Sequence, residues 1–204
     1  MLELDFVLNS LNGRLLSKSD NVEFPGVSTD SRRIRKGELF FALCGSRFDG
    51  HDFIQDAFER GAGGAVVEKP VAFPKLNKFV LIQVPSTLKA LGDLALAWRK
   101  RFPDTKIAAI TGSNGKTTTK EMASSILSLR FSVLKNSGNL NNLIGLPLTL
   151  LKLKSEHRVA VVELGMNDFG EIRRLSEITL PDVGAITCIG KAHLEKLGSV
   201  EGVA

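Results

Sequence analysis

The run Ile-Ala-Ala-Ile-Thr-Gly-Ser-Asn-Gly-Lys-Thr-Thr-Thr, residues 107–119, constrains this chain more than any other stretch. An apolar, strand-like segment, Ile107 to Ile110, ends in a turn that holds Gly112 and Gly115. Beyond it, Lys120 to Leu129 reads as a helix with Met122, Ile126 and Leu129 at helical spacing. Strand, glycine turn, Lys-Thr and helix together build a cradle for phosphate. The two glycines let backbone N–H groups approach phosphate oxygens, and the helix N-terminus adds partial positive charge. Lys116 can reach β- and γ-phosphates, and the Thr117 hydroxyl can ligate Mg²⁺. Ser113, Asn114 and Thr118 complete the loop. In the general pattern G-x-x-x-x-G-K-[ST] a glycine stands where this chain has Ile110. The loop is therefore a variant of the common form.

Strand and helix signals alternate around that loop. Strands are expected at 106–110, 131–135, 158–162 and 183–189, and helices at 116–129, 140–152 and 170–177. Such alternation predicts a doubly wound, mostly parallel sheet. Upstream, Leu4, Val7, Leu8 and Leu11 have helical spacing, and Asn12-Gly13 stops that helix. Strands are expected at 38–43, 65–67 and 79–84, with a helix over 50–61 that turns Phe53, Ile54, Ala57 and Phe58 inward. These elements predict a small N-terminal α/β domain, residues 1–84. A helix from Pro85 to Phe102, with Leu88, Leu91, Leu94, Ala95 and Trp98 on its apolar face, opens a central P-loop domain, residues 85–204.

In an open α/β sheet, ligands gather at the carboxyl ends of the strands. Glu163 ends the apolar run Val159 to Val162, where a carboxylate beside a P-loop can hold Mg²⁺ directly or through water. His193 follows the last strand, in a position that alone reads as a solvated loop histidine. Asn139, Asn141 and Asn142 crowd around one leucine where a helix should start. Helix capping needs one such amide, and the others can donate to phosphate or carboxylate oxygens. In the N-terminal part, His51 lies in a turn-like segment before a helix.

Composition narrows the partners. The chain has 204 residues, is 43% hydrophobic and 24% charged, and carries a net charge of +5. The basic residues are scattered, and aromatics make up only 6% with no Tyr, which argues against a nucleic-acid surface. An anionic small-molecule substrate accounts for the charge equally well. No apolar run approaches a membrane span, and the acidic N-terminus lacks the basic region of a signal peptide. Cys44 and Cys188 stand far apart and read as free buried thiols of a reducing, cytoplasmic compartment.

The loop at 111–118, the segment Gly138 to Leu151, Glu163-Leu164-Gly165-Met166-Asn167 with Gly170-Glu171-Ile172, and Ala192-His193-Leu194-Glu195 together resemble the Mur ligases. Ser28-Thr29-Asp30-Ser31-Arg32 and Phe48-Asp49-Gly50-His51-Asp52-Phe53 resemble that family's UDP-recognition domain. The Asn-rich segment and Glu-Leu-Gly-Met-Asn select the branch that joins D-Ala-D-Ala to UDP-MurNAc-tripeptide. The resemblance implies an ATP- and Mg²⁺-dependent, cytoplasmic ligase of peptidoglycan precursor synthesis, monomeric at full length, that works through an acyl phosphate. Lys116 would bind the β- and γ-phosphates. Thr117, Glu163 and His193 would hold the metal, and Asn139, Asn141 and Asn142 would line the nucleotide and substrate region. Ser31, Arg32, Asp49 and His51 would serve the UDP portion. The family usually has Asn at the position of Cys188 and often Pro at that of Lys191, which puts the polar contacts near His193 in question.

Gly198 to Ala204 reads as the start of a helix cut short. The resemblance implies that a carbamylated lysine and a C-terminal domain would follow, so that these residues alone would ligate poorly or not at all. Three other readings stay open on the residues: a P-loop kinase or NTPase without ligase activity, a nucleotide- or UDP-binding module, and a Mur ligase that adds a different amino acid.

Overall fold

The computed structural model describes residues 1–17, 22–45, 48–71 and 79–204. It divides into two compact units, Met1–Leu94 and Ala95–Ala204. The break expected after Val84 precedes a helix, whereas the division by contact falls inside that helix.

The first unit holds β1 (Leu2–Glu3), α1 (Leu4–Leu11), β2 (Arg14–Leu15), β3 (Glu23–Phe24), β4 (Val27–Ser28), β5 (Leu39–Phe41), α2 (Ile54–Glu59), β6 (Gly64–Val67) and β7 (Val80–Gln83). Its main sheet runs β2-β7-β6-β5-β4 and is parallel except where β2 meets β7. β1 and β3 form a separate antiparallel pair, Leu2 opposite Phe24. Strands of two residues are too short to show alternation, so β1 to β4 leave no periodic signal in the sequence. Asn12 takes the left-handed conformation (φ 47°) that ends α1, as the Asn-Gly stop predicts. The helix expected over 50–61 is a 3₁₀ turn, Gly50–Phe53, running into α2. Phe53 is 40% exposed, contrary to expectation, because the tighter 3₁₀ turn rotates it off the inward face shared by Ile54 and Ala57.

α3 (Thr87–Lys100) crosses from one unit into the next. Leu91, Leu94 and Ala95 are buried as expected, but Leu88 in its first turn is exposed. The second unit then reads β8 (Lys106–Thr111), α4 (Lys116–Ser128), β9 (Val133–Lys135), α5 (Gly145–Leu150), β10 (Val159–Glu163), α6 (Glu171–Thr179), β11 (Val183–Ile186), α7 (Leu194–Leu197) and α8 (Val200–Val203). Its sheet runs β11-β8-β10-β9, all parallel. The predicted parallel α/β architecture is what the structure has. Ile107, Ala109, Ala160 and Val162 from the sheet pack with Leu146, Leu150, Leu175 and Ile178 from α5 and α6.

Two details depart from the pattern. α5 starts at Gly145, because residues 139–142 form a loop. On α4 and at the residue that ends it, Met122 (62%), Ile126 (65%) and Leu129 (87%) are exposed, while Lys120 and Ser124 are buried. Among the described residues no helix is long and apolar enough to cross a membrane.

Candidate active site

β8 lies between β11 and β10, so its carboxyl end is where the strand order turns back on itself and a crevice opens. Three segments meet there: the glycine loop after β8, Glu163 at the end of β10, and residues 187–193 after β11. Gly112 (φ 134°) and Gly115 (φ 80°) carry the loop through backbone conformations that L side chains rarely adopt. At Gly112 space forbids a side chain as well. An added Cβ would lie 2.2 Å from Thr187 Oγ1 and 2.9 Å from the Cys188 carbonyl.

The segment after β11 is stitched to the loop. Ser113 N–H donates to the Cys188 carbonyl at 2.9 Å, and Ser113 Oγ exchanges hydrogen bonds with both backbone groups of Gly190. Thr187 Oγ1 reaches the carbonyls of Thr111 (3.1 Å) and Asn114 (2.5 Å). These bonds span more than seventy residues of sequence, so sequence reading missed Thr187. Cys188 Sγ lies 3.5 Å from the Asn114 carbonyl, and both cysteines are exposed, which corrects the expectation that they are buried.

Lys116 Nζ donates to the Gly112 carbonyl at 2.6 Å, curled over its own loop. Thr117 Oγ1 donates to Glu163 Oε2 at 2.7 Å, and Asn141 Nδ2 donates to Glu163 Oε1 at 2.8 Å. Glu163 is only 2% exposed. A hydroxyl and a buried carboxylate, held together at the mouth of a phosphate loop, make an oxygen donor set of the kind that suits Mg²⁺. His193 has a left-handed backbone (φ 53°) at the start of α7. It lines a cleft of about 420 Å³ together with Gly112, Ser113, Lys116 and Asn141.

The remaining sequence candidates are placed differently. Asn142 Oδ1 accepts the N–H groups of Ile144 and Gly145, so it closes the turn that leads into α5. Asn139 is exposed in the same loop, and Asn114, Gly115, Thr117 and Thr118 lie outside the cleft lining. In the first unit, Ser31 is buried beneath the 3₁₀ turn Ser31–Arg33. Arg32 is exposed and makes a two-pronged pair with Asp30 at 2.9 Å. Asp49 binds Lys69 at 2.6 Å and accepts from the backbone and ring nitrogens of His51.

Cys44, Asp49 and His51 bring possible metal-binding atoms within 4.8 Å of one another. Their hydrogen bonds do not fit a metal. The Glu68 N–H donates to His51 Nε2 at 2.9 Å, which leaves the ring proton on Nδ1, and Nδ1 donates to Asp49 at 2.6 Å. Desolvation, and then the Glu68 and Asp49 carboxylates, hold the Cys44 thiol above its usual pKa, away from the thiolate a metal needs.

The Mur ligase middle domain matches residues 110–204, and a second domain, described as "Mur ligase family, catalytic domain", matches residues 23–99. The chain belongs to the Mur ligase family. It is 45% identical to UDP-N-acetylmuramoyl-tripeptide–D-alanyl-D-alanine ligase of Bacillus subtilis, over 88% of this chain and 39% of that one. It is 42% identical to the Escherichia coli enzyme of the same name, over 95% and 41%. A crystal structure of MurF from Acinetobacter baumannii superposes with a TM-score of 0.91 at 38% identity, over 99% of this chain and 44% of that one. MurF from Thermotoga maritima, solved in complex with ADP, gives 0.78 at 36%, over 87% and 40%. The chain thus spans about two-fifths of the length of these relatives.

Proposed function

We propose that these residues are the UDP- and ATP-binding part of a cytoplasmic, monomeric ligase that joins D-Ala-D-Ala to UDP-MurNAc-tripeptide. The observation that carries the reading is the Thr117–Glu163–Asn141 group at the mouth of the glycine loop, with Lys116 and His193 on the adjoining cleft. Relatives that carry this activity in their names match nearly the whole chain, and one was solved with ADP.

A carboxylate is a poor electrophile. Transfer of the γ-phosphoryl group of ATP to the terminal carboxylate of the tripeptide breaks the β–γ bridge and installs a leaving group. The amine of D-Ala-D-Ala then attacks the acyl carbon, and the tetrahedral adduct expels inorganic phosphate. The protein's work is positioning and charge neutralisation. The backbone N–H groups of residues 114–118, beyond the Ser113 N–H that is held by the Cys188 carbonyl, cradle the phosphates. Lys116 exchanges the Gly112 carbonyl for β- and γ-phosphate oxygens. Thr117 and Glu163, with His193 on the adjoining cleft, would hold Mg²⁺, which would supply charge neutralisation for the transferring group. Asn141 keeps the Glu163 carboxylate in place and, with Asn139, faces the reactants. Residues 1–84 recognise UDP, with Arg32 as the exposed candidate contact. Asp49 and His51 contribute by holding their turn rather than by direct contact.

ATP-dependent joining of the two substrates by the full-length protein tests this. Lys116→Ala is expected to lower kcat by about a hundredfold or more while leaving the fold intact. A variant as active as wild type would remove the role given to the loop.

A further inference from the structure

Lys120 and Asn136 take no part in the chemistry above and do not line the cleft, yet both are completely buried. Burying an amide and a lysine is costly unless every donor and acceptor is matched. Here the matching is specific. Backbone pairing of β9 with β10 stops at Lys135, opposite Val161. Beyond that point the Asn136 side chain continues the ladder. Glu163 N–H donates to Asn136 Oδ1 at 2.9 Å, and Asn136 Nδ2 donates to the Glu163 carbonyl at 3.1 Å. Its other Nδ2 hydrogen goes to the Leu140 carbonyl at 3.0 Å. Leu140 immediately precedes Asn141, whose amide holds Glu163 Oε1. A single side chain therefore fixes both the backbone that carries the carboxylate and the loop that holds one of its oxygens.

Asn136 is in turn braced from α4. Lys120 Nζ donates to its carbonyl at 2.8 Å and pairs with Glu121 at 3.0 Å. Lys120 sits one turn beyond Lys116 and Thr117 on the helix that opens at the phosphate loop. This explains why α4 buries a lysine. We propose that Asn136, braced by Lys120, is a positioning residue that sets the Glu163 carboxylate for the cation accompanying the nucleotide. The proposal rests on the nucleotide reading of the loop.

The test is calorimetric titration of the full chain with ADP, once with Mg²⁺ and once with EDTA. The quantity read is the gain in affinity that Mg²⁺ gives. Asn136→Leu keeps the branched shape of the side chain and removes all three of its hydrogen bonds. It is expected to lose about tenfold or more of that gain, the usual cost of removing a group that orients a metal ligand, with the affinity in EDTA unchanged. Lys120→Met should lower the gain in the same direction, and Lys120→Arg, which keeps a donor, should restore part of it. If Asn136→Leu does not fold, Asn136→Ser carries the same comparison with a smaller change. A gain equal to wild type in a folded variant would overturn the proposal. So would an equal loss with and without Mg²⁺, which is what a purely structural role predicts. Absence of ADP binding to the wild-type chain would instead overturn the reading of the loop, and this proposal with it.

Discussion

Two groups of residues carry the chemical signals of this sequence, and the structure treats them in opposite ways. Around the glycine loop, residues far apart in the chain bond to one another. Thr117 meets Glu163, Glu163 meets Asn141, and Ser113 and Asn114 meet Gly190 and Thr187. In the first unit, Arg32 closes on Asp30, and His51 and Asp49 close on each other, Glu68 and Lys69. The first pattern collects groups from three strand ends onto one crevice. The second closes its groups on one another around a single turn, with Glu68 and Lys69 brought in from 17 and 20 residues on, and both ring nitrogens of His51 are occupied by protein atoms. Polar residues of the same kinds thus build a place for a ligand in one region and hold turns together in the other.

The largest expected effect sharpens the first half of that contrast. Gly112→Ala puts a methyl group against Thr187 and the Cys188 carbonyl in a backbone conformation that only glycine adopts readily. The loop and the segment after β11 cannot both keep their places. A stability loss of about 3 kcal/mol is expected, combining backbone strain with overpacking, together with loss of ADP binding. Denaturant unfolding and titration with ADP measure the two. A loss of stability below about 1 kcal/mol would mean that the stitching by Thr187 and Ser113 is not what fixes the loop.

How far each region could be read from sequence follows the same division. Gly112 to Thr118 and the flanking strand and helix are local in sequence, and their chemistry is set by residue type, so the loop was legible. The parallel order of the second sheet followed from strand–helix alternation. Thr187, Lys120 and Asn136 were not legible, because the bonds that tie them to the loop, to each other and to Glu163 span between 16 and 76 residues and no spacing rule joins them. One signal was available for Asn136. A polar residue directly after a strand beside a P-loop stands near the level of the carboxylate that ends the next strand. The outward-facing apolar residues of α4 misled for the complementary reason: periodicity marks a stripe but does not say which side of the helix the sheet takes. In the first unit, the turn shows His51 beside Asp49, but not that its other ring nitrogen accepts from a strand end seventeen residues on.

A middle-sized effect tests the second half of the contrast. His51→Leu removes the acceptor for the Glu68 N–H and one donor to Asp49 while keeping an apolar body in the buried site. Leaving a backbone N–H unpaired there should cost about 1–3 kcal/mol, read as a lower unfolding midpoint. Binding of UDP by the folded variant should not change. Weaker UDP binding at unaltered stability would show that His51 contacts the ligand, and the contrast between the two regions would fail.

The smallest effect is a pH dependence confined to the first unit. The Lys69 ammonium, then the backbone and ring N–H groups of His51, hold the Asp49 carboxyl well below the usual carboxylate range. A carboxyl whose pKa is lowered by folding binds protons more readily when unfolded. Its contribution to stability is therefore complete above the ordinary aspartate value, about 3.9, and fades as pH falls below it toward the folded value. Asp49→Asn has no such titration. Its deficit relative to wild type should be constant from pH 7 down to about 5 and shrink progressively below about pH 4. Denaturant melts of both proteins across that range give the difference directly. A deficit that stays level into strong acid would mean that the charge on Asp49 holds nothing in place, and that its turn is kept by the neutral hydrogen bonds of His51 alone.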